Sequence, residues 1–221
     1  MDNQAPEQLL LDLIEPEAPT LENFVADGNE ELVAALRAAR ALEGPQFIYL
    51  WGEPGSGRTH LLRALTPTQR WRVPEYDPRE HLYTVDNVEL LDEDDQEKLF
   101  FLMNDVRSHP ECRLVVAGRL RVDALKDVPV REDVCTRLCW GLVYRLRPLS
   151  GAAALSQFVR LARSRGLEAS DETVRWLEAH APRSMPALAQ LLEIVDRRAM
   201  RQKRRLTVPL LNESMVELSG R

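Results

Sequence analysis

The sequence predicts an α/β protein: a parallel-sheet core followed by a small all-helical domain. Three observations carry this. Apolar runs of strand length alternate with helix-period segments between residues 46 and 147, which implies a parallel sheet with crossover helices. A glycine-rich loop, Gly52 to Thr59, stands between the first of these runs and a helix pattern. After Pro148 only helical periodicity remains.

The elements follow in order. Residues 1–19 carry Pro6, Pro16 and Pro19 with Glu15 and Glu17 between them, and read as an extended tail. Residues 28–42 show helical spacing through Leu32, Ala35, Leu36 and Ala39. Strands are expected at 46–51, 81–86, 113–117 and 142–147, with helices at 59–65, 93–109 and 131–139 between them. Asp92, Glu93, Asp94 and Asp95 precede the second of these helices, where carboxylates suit the positive end of the dipole better than they suit a metal nuclease. Beyond Pro148, helices are expected at 150–165 and 171–180, capped by Ser150 and Ser170, then at 184–205, with a last short one from Pro209. The boundaries are therefore 1–19 for the tail, 20–149 for the core and 150–221 for the helical domain.

Composition narrows the function classes. With 44% hydrophobic and 29% charged residues, a packed core is expected. A net charge of −6 argues against a large basic surface for DNA. The basic cluster Arg197 to Arg205 suits the negative end of a helix. No apolar run approaches the ~20 residues of a membrane span. The acidic N-terminus lacks the basic start of a signal peptide, so a cytoplasmic location is the expectation. Cys112, Cys135 and Cys139 and four scattered histidines form neither a disulfide framework nor a metal-ligand pattern.

The chemistry is concentrated in the loop. Gly52, Gly57, Arg58 and Thr59 match the phosphate-loop spacing G-x-x-x-x-G-K-[ST], with arginine in place of lysine. Gly55 and Gly57 free the backbone to turn its N–H groups toward phosphate oxygens, and the following helix adds its positive end. The expected nucleotide-binding set is Gly52, Gly55, Ser56, Gly57, Arg58, Thr59 and His60, with ADP or ATP as ligand. Mg²⁺ prefers oxygen ligands, which Thr59 and the strand-ending Asp86 supply. Arginine offers a wide planar fork where lysine offers a compact charge. Such a fork holds a diphosphate and misplaces a γ-phosphate for transfer. Asn87 follows Asp86, and an amide cannot take a proton from an attacking water.

These pieces, with T-L-E-N-F-V at Thr20 to Val25 and R-L-C-W-G-L at Arg137 to Leu142, resemble the AAA+ domain of the DnaA/Hda family of replication-initiation proteins. Arg58, the Asp86-Asn87 pair and the leader Q-L-L-L-D-L point to the regulatory branch of that family rather than to the initiator. The chain also ends after the helical lid, so the initiator's DNA-binding domain is not expected. The resemblance implies a P-loop AAA+ core with a helical lid, and a clamp-binding motif at Gln8, Leu9, Leu11 and Leu13. An extended segment of this kind sets alternate leucines in an apolar pocket. Asp12 stands where that motif often has proline. The implied partners are DnaA and the DNA polymerase III beta sliding clamp, with DNA reached only through the clamp. A homo-oligomer is compatible with the family. Arg137 matches the family's arginine finger, which stabilises charge on a transferring phosphoryl group. The implied function is negative regulation of replication initiation, by promoting hydrolysis of DnaA-bound ATP.

The sequence departs from the family pattern in three places. Residues 66–80 leave little room between the loop helix and the second strand, so one sheet strand or helix is missing or rudimentary. Ala117-Gly118-Arg119 ends a strand without a hydroxyl or amide for a γ-phosphate. The lid arginine of the family falls near Pro186, with Arg183 close but out of register. All three weigh against efficient hydrolysis by this chain of its own nucleotide. The competing readings are an autonomous AAA+ ATPase of the helicase-loader or clamp-loader type, and a nucleotide-free scaffold.

Overall fold

The structure, a computed structural model, describes residues 18–69, 72–199 and 205–220. Four parallel strands form the central sheet: β1 (Phe47–Trp51), β2 (Leu82–Val85), β3 (Arg113–Gly118) and β4 (Leu142–Arg145), in the order β2-β3-β1-β4. Side chains alternate across it, as the pleat requires. Phe47 and Tyr49 of β1 face α3 (Glu93–Ser108), where Leu99, Leu102, Met103 and Val106 are buried with them. Ile48 and Leu50 face the other way, onto α1 (Glu30–Arg40) and α2 (Arg58–Leu65) through Leu32, Leu36, Leu61 and Leu62. The result is a three-layer α/β/α core.

The interval 66–80, expected to lack a strand or a helix, adds nothing to the sheet among the described residues, and β2 is left as a sheet edge. The Gln69 side chain stands in for the absent neighbour. Its amide donates to the Thr84 carbonyl at 2.6 Å and accepts from the Thr84 N–H at 3.3 Å. At Thr84 the open edge is thus met by one side chain.

The acidic run behaves as a helix start. Asp92 caps α3 by accepting from the Asp95 N–H at 2.9 Å. The helix expected at 131–139 is shorter, α4 (Glu132–Arg137), and a 3₁₀ segment at Val122–Asp127 precedes it. Cys135 is buried and Cys139 exposed.

The lid consists of α5 (Gly151–Ser164), α6 (Asp171–His180), α7 (Met185–Ala199) and α8 (Val208–Ser219) around Phe158, Leu188, Leu191, Val195 and Leu211. Ser150 and Ser170 cap α5 and α6, accepting from the Ala153 and Thr173 N–H groups. Two details correct the sequence reading. The lid is not purely helical: β5 (Glu168–Ala169) pairs in parallel with β6 (Arg205–Leu206). Arg205 therefore lies in a strand, not in the helix expected at 184–205. A two-residue strand has no periodicity to read. Its position is set by Gly166, whose φ of +74° turns the chain after α5, and by the Thr173 hydroxyl, which donates to the Leu206 carbonyl at 3.2 Å. Within the basic cluster, Arg198 pairs with Glu213 and Glu217 of α8, both at 2.9 Å, so its charge is spent within the lid.

Candidate functional site

The loop between β1 and α2 has the geometry of a phosphate cradle. Gly55 and Gly57 take left-handed φ values of +81° and +101°, which a side chain would strain. Close neighbours also exclude a side chain at both. A Cβ on Gly55 would lie 2.0 Å from Pro186, and one on Gly57 would lie 2.7 Å from Phe24. At Gly52 it would meet the Leu146 carbonyl at 2.5 Å. The loop is therefore clasped between the lid, through Pro186, and the segment before α1, through Phe24.

That segment is fixed by its own polar groups. The Thr20 N–H donates to Asn23 Oδ1 at 2.9 Å and the Asn23 N–H to Thr20 Oγ1 at 3.0 Å. Leu21 between them is fully buried. His60 closes the arrangement. Its Nε2 lies 2.9 Å from the Thr20 carbonyl and its ring 5.5 Å from that of Phe24. The side chain of His60 thus ties the Thr20–Phe24 segment to α2, while its place on the first turn of α2 keeps its backbone near the loop.

The two residues expected to hold a metal come together. Thr59 Oγ1 donates to Asp86 Oδ2 at 2.6 Å, and the other Asp86 oxygen accepts from the Asn87 N–H at 2.8 Å. An oxygen pair of this kind suits Mg²⁺. Ser56 Oγ is buried and has no hydrogen-bond partner, the condition of a donor waiting for a ligand. The residues present therefore fit a Mg²⁺-nucleotide. Its phosphates would meet the loop N–H groups and the start of α2, and its metal would meet Thr59 and Asp86.

Arg58 takes an unanticipated partner. Its guanidinium Nη1 lies 4.0 Å from Glu89 Oε1, and the two side chains are 10% and 6% exposed. Both Glu89 oxygens also accept from the Arg119 N–H, at 3.2 Å. Burial raises the pKa of the neighbouring Tyr49 hydroxyl; Glu89 raises it further and Arg58 opposes.

Arg137 lies at the other end of the sheet. Its guanidinium carbon sits 3.7 Å from the ring centroid of Phe100 and 4.9 Å from that of Trp140, and Nη1 donates to Asn104 Oδ1. Trp140 packs edge-on against Phe47, the first residue of β1, at 5.4 Å. The phosphate loop follows Trp51, the last residue of that strand, about 13 Å away along the strand. Arg137 is thus not part of its own chain's loop site. The lid arginine question also has an answer in geometry. Arg183 donates to the Glu178 carbonyl at 2.7 Å and packs near Gly151, whereas Pro186 is the lid residue on the loop. Gln8, Leu9, Leu11 and Leu13 lie outside the described residues.

Sequence reasoning missed Glu89, Phe24 and the loop contact of Pro186. The available signal for Glu89 was a carboxylate three residues beyond Asp86; for Phe24 it was the Thr20-x-x-Asn23 self-capping pattern.

Comparison with known proteins is consistent with this geometry. Residues 152–215 match the family described as Hda, lid domain. The fold matches domain III of the Thermotoga maritima replication initiation protein DnaA, with a TM-score of 0.70 at 16% identity over 91% of this chain and 97% of that one. AMPPCP-bound DnaA from Aquifex aeolicus matches with a TM-score of 0.63 at 19% identity, over 86% of this chain and 68% of that one. The Thermotoga maritima RuvB Holliday junction branch migration motor matches with a TM-score of 0.65 at 17% identity, over 90% and 72%. At these identities the structures establish the fold alone: a parallel-sheet α/β core with a helical C-terminal part, as in these proteins.

Proposed function

We propose that this chain is an Hda/DnaA-like AAA+ protein and a regulatory adaptor that promotes hydrolysis of ATP bound to DnaA; the lid-domain match and the DnaA-like fold support this reading. The tail residues Gln8, Leu9, Leu11 and Leu13 bind the DNA-loaded sliding clamp. The core holds a nucleotide on Gly52, Gly55, Ser56, Gly57 and the start of α2. Mg²⁺, when bound there, neutralises phosphate charge beside Thr59 and Asp86. DnaA is left with ADP and does not restart initiation, so the chain acts as a negative regulator.

The observation that carries this reading is the setting of Arg137. It is gripped by Phe100, Trp140 and Asn104, none of which carries charge, and it sits at the end of the sheet away from its own loop. Asp133, one turn back along α4, also attracts it, and the separation of Arg137 from its own loop supports a role toward another molecule's phosphates. Its own loop, by contrast, offers poor means for hydrolysis. Arg58 faces Glu89, and Asn87 is an amide where a base would be needed. The nearby Arg131 is less available than Arg137, because Asp133 holds it at 2.7 Å.

The test mixes DnaA-ATP, clamp-loaded DNA and this protein, and follows conversion to DnaA-ADP. Conversion that requires all the components supports the adaptor. Conversion that is the same without this protein refutes it. ATP turnover by this protein alone at ~1 s⁻¹ or faster would favour an autonomous ATPase.

A further inference from the structure

We infer that Glu89 sets the nucleotide preference of the loop: it holds the Arg58 guanidinium away from a γ-phosphate, so that nucleoside diphosphate and triphosphate bind alike. The inference rests on the reading of the loop as a nucleotide site.

Glu89 is brought there by local geometry. Asn87 takes a left-handed φ of +51°, and the 3₁₀ turn Val88–Leu90 that follows carries Glu89 under the ends of β1 and β3. The space is kept open by a glycine. A Cβ on Gly118 would lie 2.4 Å from the Tyr49 hydroxyl and 3.0 Å from Glu89 Oε2. A buried carboxylate is stabilised by hydrogen bonds and a nearby cation. The Arg119 N–H supplies the first and Arg58 the second.

Arg58 is equally constrained. Its side chain is 10% exposed, Glu89 is the carboxylate at ion-pair distance, and Nη1 makes no hydrogen bond. The attraction between charges 4.0 Å apart is much stronger here than in water, because little solvent screens them. A γ-phosphate would have to compete with that carboxylate for the guanidinium. The β-phosphate faces no such competition, since the N–H groups of residues 55–59 and the start of α2 serve it. The loop therefore recognises what the two nucleotides share and is blind to the γ-phosphate.

The experiment titrates Mg²⁺-ADP and the non-hydrolysable triphosphate Mg²⁺-AMPPCP into the full chain by calorimetry. The proteins are the unaltered chain, Glu89→Gln, and the double variant Arg58→Met/Glu89→Gln, each checked for folding by thermal melting. The unaltered chain should bind both ligands with similar affinity. Glu89→Gln frees the guanidinium, so AMPPCP should tighten about tenfold relative to ADP, the worth of one charge-assisted hydrogen bond. The double variant removes both charges together and should return to the unaltered ratio. It also keeps the test decisive if the single variant fails to fold. An unchanged ratio in Glu89→Gln overturns the role of Glu89 while leaving the nucleotide site standing. Selective loss of AMPPCP in the double variant also overturns it, because Arg58 would then have been serving the γ-phosphate throughout. An unaltered chain that binds neither ligand overturns the nucleotide site and this inference with it.

Discussion

Two arginines at opposite ends of one sheet share a side chain and differ in what holds it. Arg58, at the phosphate loop, faces a buried carboxylate at 4.0 Å. Arg137, beside the opposite end of β1, lies on two aromatic faces and donates to an amide oxygen. The Coulomb attraction at that separation is about 4 kcal/mol at an effective dielectric near 20, before the cost of taking both charges out of water. A cation–π contact contributes ~0.5–2 kcal/mol and leaves the charge uncancelled. The first setting pairs its arginine with a buried carboxylate; the second orients its arginine on aromatic faces, with Asp133 one turn away along α4.

The largest expected effect follows from removing the available arginine. Arg137→Ala should lower stimulation of DnaA-bound ATP hydrolysis by a factor on the order of 10³–10⁵, the worth of an arginine finger, and leave nucleotide and clamp binding intact. Arg137→Lys should rescue little, because an ammonium lacks the planar fork. Measuring conversion to DnaA-ADP with each variant checks both. Normal conversion by Arg137→Ala would break the comparison and move the search to Arg131.

The tail gives the next effect. Replacing Gln8 and Leu9 by alanine should abolish capture on immobilised clamp, and with it clamp-dependent conversion. The melting temperature and nucleotide affinity should stay unchanged. A pull-down with undiminished capture would refute the motif.

At the loop, Asp86→Asn should weaken Mg²⁺-nucleotide binding about 10–100-fold, the usual cost of altering a metal site's partners. Calorimetry with and without Mg²⁺ separates this from a folding defect, since only the Mg²⁺-dependent part should fall. Equal losses with and without the metal would assign Asp86 to the fold.

A smaller effect sharpens the description of Arg137. Phe100→Leu keeps an apolar side chain and removes the ring beneath the guanidinium. Conversion should drop about 2–30-fold, in line with one cation–π contact, with no change in this chain's own nucleotide affinity. An unaltered rate would show that Trp140 and Asn104 suffice.

The parts of this account that were legible in the sequence are those set by short-range pattern. Strand β1, the glycines at 52, 55 and 57, and the helix from Arg58 follow from spacing alone. The shortened sheet was readable from the 66–80 interval, and the Thr59–Asp86 pair from the motif that contains each. What stayed hidden depends on tertiary approach. Glu89 reaches Arg58 across 31 residues of sequence only because Asn87 turns left-handed. Phe24 and Pro186 meet the loop from segments on either side of the core. The β5–β6 pairing is two residues long, below the reach of any periodicity.

In the proposed function this chain acts on a partner's nucleotide and not on its own. This is tested most directly by loading γ-labelled ATP onto either DnaA or this protein, mixing with the other protein and clamp-loaded DNA, and following label release. Release is expected from the DnaA-loaded label, lost in Arg137→Ala, with negligible release from label loaded onto this chain. Release of the latter at ~1 s⁻¹ or faster, unaffected by Arg137→Ala, would contradict the proposed function.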